Sequence, residues 1–158
     1  MIALVLATAL ASAKPGLFVA KGRFSVRFPD AVETRQEVVP AEAGAYTTHF
    51  FSSGIGQTAF GVTFTDFPVE LGAAELRRAV DGETTGQGQV VARRPHTLGK
   101  VRGLEVTYRG SAPSDRRMEK TFRMYVRGRT MYQIWVAGPA DAVPRKEVTR
   151  FFASFKLR

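Results

Sequence analysis

The residues best suited to chemistry are arginines interleaved with aromatic rings. Arg123, Tyr125 and Arg127 alternate along one stretch, Arg129 follows in a turn, Arg116 and Arg117 precede it, and Trp135 lies in the next stretch. A guanidinium offers forked donors to carboxylate, sulfate or phosphate, and a ring offers a stacking surface. This set can bind an anion. It holds no nucleophile and no paired acid and base.

Other candidates are thinner. His49 and His96 are the only histidines, and neither has a second ligand at metal spacing. Ser52, Ser53 and His49 are the residues left for a hydrolase, without a nucleophile-elbow sequence around either serine. Gly54-x-Gly56-x-x-Ala59 has the outline of a dinucleotide fingerprint, but it runs into an alternating strand pattern rather than opening a helix, as phosphate binding requires. Glu70, Glu75, Asp81 and Glu83 surround a helical pattern and read as a solvated face. With no cysteine, disulfides and thiolate metal sites are excluded. No cofactor is expected.

The elements that position the arginines read as follows. Phe122, Met124 and Val126 alternate with polar neighbours. After Arg127-Gly128-Arg129, Tyr132, Ile134 and Val136 do the same, the pattern of a β-hairpin. Matching apolar to apolar gives a three-residue loop at 127–129, with Gly128 at positive φ, Phe122 opposite Ile134 and Met124 opposite Tyr132. That register puts Tyr125 and Trp135 on one face with the arginines. Both hairpin faces carry apolar residues, so a helix layer is expected on each side.

Elsewhere, Phe24, Val26 and Phe28 alternate before Pro29. Residues 31–44 are polar and read as an extended connection or a weak strand. Residues 46–51 and 58–64 form a second hairpin with its turn at 52–56. Ala73, Leu76, Ala79 and Val80 fall on one helical stripe. Residues 90–93 read as a short strand, 95–99 as a turn and 104–109 as a strand. Val148, Phe151, Phe152 and Phe155 recur at i, i+3, i+4 and i+7, with Asp141 as the expected N-cap. The sum is a single α+β domain over 14–158, with a mainly antiparallel sheet of six to seven strands flanked by helices.

The basic surplus is uneven. Residues 1–92 hold 7 Lys/Arg against 9 Asp/Glu, a balance of −2, and residues 93–158 hold 16 against 5, a balance of +11. Such a half attracts an anionic protein, polymer or membrane surface. Compositional bias competes as an explanation, since 17 of the 23 basic residues are Arg and Asn is absent. The N-terminus has a short apolar run ending in Ala11-Ser12-Ala13, the pattern of a secretory signal peptide over 1–13, although no Lys or Arg precedes it. This places the chain in the periplasm or outside the cell, where nucleic acid is rarely met, with no transmembrane segment in the mature chain. A monomer is expected.

Phe24–Pro29 (FSVRFP), the Arg123–Gly138 strand pair with Tyr132–Val136 (YQIWV), and Arg150–Leu157 (RFFASFKL) together resemble a group of small exported bacterial proteins of unknown function related to the PsbP-type α-β-α sandwich, also found in a Ran-binding protein. The resemblance implies that sandwich and a non-enzymatic binding or assembly role. It supplies no catalytic residues. The expected function is therefore a binding or accessory module for an anionic partner. The alternative is a carrier of a small apolar ligand, held between helix and sheet beside Trp135 and the Phe-rich helix.

Overall fold

A computed structural model describes residues 10–13, 16–41, 44–111 and 117–158. Among them are eleven strands and two helices. In chain order they are β1 Leu10–Ala13, β2 Gly16–Ala20, β3 Phe24–Phe28, β4 Val32–Val39, β5 Tyr46–Ile55, β6 Thr58–Asp66, α1 Ala73–Thr84, β7 Gln89–Leu98, β8 Val101–Ser111, β9 Arg117–Arg127, β10 Thr130–Pro139, α2 Arg145–Ser154 and β11 Lys156–Leu157.

The strands form two antiparallel sheets. The larger has eight, in the order β1-β4-β5-β6-β10-β9-β8-β7, and its outermost member β1 pairs only with the start of β4. It consists of two sequential meanders, β4-β5-β6 and β7-β8-β9-β10, joined where β6 pairs with β10. The smaller sheet has the order β11-β3-β2.

The expected α+β class and α-β-α sandwich are therefore wrong. The chain is mostly β, and no complete helix layer lies on either side. One face of the large sheet is covered by the small sheet together with α2, through a core of Phe24, Val26, Phe28, Phe60, Val62, Phe64, Tyr125, Ile134, Phe151 and Phe155. The other is covered only in part by α1, whose Leu76 and Val80 pack with Val106, Phe122 and Met124. The large sheet has more strand than expected because polar segments extend it. Residues 31–44 contain β4, and Gln89–Leu98 is one strand with a register shift between Val90 and Ala92, running through the segment read as a turn. Both lie at or near sheet edges, where a strand needs no apolar alternation.

The expected hairpin register also fails. Arg127 pairs with Thr130, so the loop is Gly128-Arg129 alone, and Met124 sits opposite Gln133 rather than Tyr132. Gly128 does take a positive φ of 60°. Apolar matching misled because both faces are buried. Phe122, Met124 and Val126 turn to α1, while Tyr132, Ile134 and Val136 turn to the small sheet and α2.

The two helices fall where the stripes place them, α1 over Ala73–Thr84 and α2 over Arg145–Ser154. The first turn of α1 is closed by the Glu75 carboxylate, which accepts from the Gly72 N–H at 2.9 Å. The residue before α2 is Pro144, not Asp141. The GxGxxA stretch is the β5–β6 turn region.

Candidate anion-binding face

The sequence-derived site divides. Arg116 lies outside the described residues. Tyr125 faces α2 and the small sheet, whereas Trp135 faces α1, because Tyr125 pairs with Tyr132 and Trp135 with Phe122. Tyr125 keeps the face of Arg123 and Arg127, as expected, but the two-residue loop takes Trp135 off it. Trp135 instead lies against Gly61 on the neighbouring strand. A Cβ built there would stand 2.2 Å from its Cζ2. The Lys120 ammonium sits 5.5 Å from its ring centroid and pairs with Glu83 of α1.

Two of the arginines hold backbone. Arg127 donates to the Arg158 carbonyl at 2.9 Å, and Arg129 donates from Nε to the Phe67 carbonyl at 3.1 Å and from its terminal nitrogen to that of Pro68. Both tie the hairpin tip to neighbouring chain rather than presenting a binding edge.

Arg123 belongs to a different arrangement, one that the sequence reading missed. The β8–β9 register sets Glu105 opposite Arg123 and Arg109 opposite Glu119. The β7–β8 register sets Arg94 beside Glu105. Glu105 thereby accepts from Arg94 Nε at 2.8 Å and from Arg123 Nε at 2.6 Å. Glu119 accepts from Arg109 Nε at 3.0 Å and from Arg145 of α2 at 2.6 Å. Arg123 also covers the Phe152 ring at 4.6 Å. The result is two Arg–Glu–Arg clusters on the α2 side of the large sheet. Between them the hydroxyls of Thr107 and Thr121 bond each other at 2.8 Å.

The charge in these clusters is layered. The Glu105 and Glu119 side chains are 10% and 5% exposed, whereas Arg94, Arg109 and Arg145 are 69%, 50% and 61% exposed. Carboxylates lie on the sheet and guanidiniums above them. Burial pushes the Glu105 carboxyl up, but Arg123 and Arg94 outweigh it and hold the group below its ordinary 4.5. Burial likewise raises Glu119, and Arg145 and Arg109 bring it below 4.5. Both are ionised at neutral pH, so each cluster carries a net +1.

At one end of this row Tyr125 Oη and His96 Nδ1 share a hydrogen bond of 2.8 Å. Burial pushes the phenol up to about 12, and burial with the Arg123 charge lowers His96 below 6.5. The pair is thus a protonated phenol beside a neutral imidazole at pH 7. At the other end Arg109, Arg117, Ala140 and Asp141 line an open concavity of about 400 Å³.

The hydrolase candidates do not converge. Ser52 and His49 lie on opposite sheet faces by alternation, His49 stacks on Phe64 at 4.4 Å, and Ser53 Oγ accepts the Asp30 N–H at 3.1 Å. Among the described residues no group of three His, Asp or Glu could hold a metal ion, and no helix is long and apolar enough to cross a membrane.

No known protein family's sequence profile and no curated protein sequence matches the chain. Among solved structures, a protein from Bacteroides thetaiotaomicron is similar at a TM-score of 0.57 and 11% identity, over 92% of this chain. The chain spans about half (49%) of that protein's length. At that identity the likeness concerns the fold alone.

Proposed function

We propose that the chain is an exported, non-catalytic binding module that engages an anionic partner through the α2-side face of β7, β8 and β9. Placement outside the cytoplasm rests on the N-terminal sequence pattern. The observation that carries the binding reading is the layering of charge. Arg94 and Arg109 meet their carboxylates through Nε and one terminal nitrogen, and their side chains, like that of Arg145, remain at least half exposed, whereas Arg123 is mostly covered. An approaching anion therefore meets donors first and carboxylates only through them. The apolar-carrier alternative gains no such support. Its two expected walls, Trp135 and the Phe-rich helix, lie on opposite faces, and the space under α2 is filled by rings packed at 5.3–5.7 Å.

The test is retention on a sulfated polysaccharide matrix. R94Q/R109Q/R145Q is expected to elute at clearly lower salt than the wild type. R35Q/R77Q/R78Q, which removes equal charge elsewhere, is expected to elute close to it. Equal shifts for the two triples would show that net charge, not this face, sets retention. Resonances of the Arg94 and Arg109 Nε–H groups in unmodified protein, followed during titration with a sulfated oligosaccharide, report the contact without any substitution.

A further inference from the structure

The two clusters are spaced as well as charged. Glu105 and Arg109 are four residues apart on β8, and Glu119 and Arg123 are four apart on β9. At 3.3–3.4 Å per strand residue the clusters stand about 13 Å from each other. Four is an even number, so both fall on the same face. Midway sits the Thr107–Thr121 hydroxyl pair, which shares one hydrogen bond and carries no charge. Thr107 and Thr121 are only half-buried, so the row is open along its length.

We propose that this face recognises an extended acidic protein segment carrying carboxylates at positions i and i+4, laid along β8. The inference rests on the anion-binding reading above and names its partner. A peptide in β conformation has the rise of the strand beneath it. Side chains at i and i+4 then reproduce the cluster spacing and point the same way. The i+2 side chain faces the threonine pair, where no cation compensates a charge, so a small polar residue belongs there. Carboxylates at i and i+3 point to opposite sides, and carboxylates at i and i+2 reach one cluster only. Charge complementarity favours an acidic segment over an apolar one, and the even spacing favours a strand over a helix, whose i and i+4 residues stand only about 6 Å apart along the axis.

The experiment uses full-length protein and four synthetic Ser/Thr-rich peptides of equal charge, with two glutamates spaced 2, 3, 4 or 6 residues apart. Binding is read by fluorescence anisotropy at low salt. The i,i+4 peptide is expected to bind about fivefold more tightly than the others, the factor that one additional exposed ion pair of about 1 kcal/mol supplies. R94Q and R109Q, made singly, should each erase that preference, as should raising the salt. Equal affinity for all four spacings, with retention on the polysaccharide still dependent on Arg94, Arg109 and Arg145, overturns the spacing rule and leaves the anion-binding face standing. Loss of both overturns both.

Discussion

Gly61→Ala isolates one contact whose sign can be worked out beforehand. Gly61 has an extended backbone that alanine also adopts, so strain in φ plays no part. On chain entropy alone, Gly to Ala at a compatible site stabilises by about 0.4–1 kcal/mol. Against this stands the Trp135 ring. The new methyl group would meet Cζ2 at 2.2 Å, Cε2 at 2.3 Å and Nε1 at 2.7 Å. The ring cannot simply lift away, because it packs against the α1 cluster on its other flank. Overpacking of this kind costs about 1–3 kcal/mol. The clash therefore wins by about 1–2 kcal/mol, which lowers Tm by about 2–8 °C for a domain of this size. Gly54→Ala in the preceding strand is the control, since its methyl group would meet only the Thr58 carbonyl at an ordinary 3.5 Å. It should be neutral or slightly stabilising. Trp135 is the only tryptophan. Its emission reports the same site during thermal melts, and it should shift in Gly61→Ala and not in Gly54→Ala. Adding Trp135→Leu to Gly61→Ala should recover part of the loss, a non-additivity expected of contacting residues. A Gly61→Ala melt at or above that of Gly54→Ala, with unchanged emission, would refute the packing account.

Two further outcomes follow from the charges. Glu119→Gln should cost about 1–2 kcal/mol at pH 7, because Arg109 and Arg145 lose a charged acceptor. The Glu119 pKa is depressed on folding, so this stabilisation is present above 4.5 and is lost as the pH falls through the folded value. Urea midpoints of variant and wild type should therefore converge in acid; a gap that persists at pH 2 would mean the carboxylate charge was not its source. His49 and His96 are also depressed, chiefly by burial, so what they contribute is present above 6.5 and is lost on acidification. Proton NMR should show both titrating below 6.5, and a His96 midpoint above that value would mean Glu105 outweighs burial and Arg123.

What was legible in the sequence was local. The alternation of Phe24, Val26 and Phe28 and the stripe of Phe151 and Phe152 mark elements that bury one side, and the structure places all of them in the core. What failed needed knowledge of neighbours. The β9–β10 register was misread because Phe122 and Tyr125 are both buried, on opposite faces, so hydrophobicity could not choose between a two- and a three-residue loop. That one-residue error carried Trp135 to the wrong side. β4 was left open between connection and strand, and β7 was read too short, because strands at or near a sheet edge need not alternate. Glu105 and Glu119 were passed over because each looks like an ordinary polar position on its own strand. One signal was available, since a single antiparallel register pairs Glu105 with Arg123 and Arg109 with Glu119 at once, and testing the 101–127 hairpin for opposite charges would have found it.

The two-meander sheet also bears on how the chain reaches this state. Within β4-β5-β6 and within β7-β8-β9-β10 every pairing is between successive strands, so each half closes only short loops. The seam between β6 and β10 is different. It joins Asp66 to Thr130 across the whole second meander and α1. That closure entropy grows slowly with loop length, but it must be met before the seam's contacts form. Two quickly formed halves that then dock through Phe60–Val136 and Val62–Ile134 would place the rate-limiting barrier at the seam. Trimming side chains within either meander should then slow refolding, because those contacts are already made when the halves dock, while trimming the seam side chains should change both the refolding and the unfolding rate.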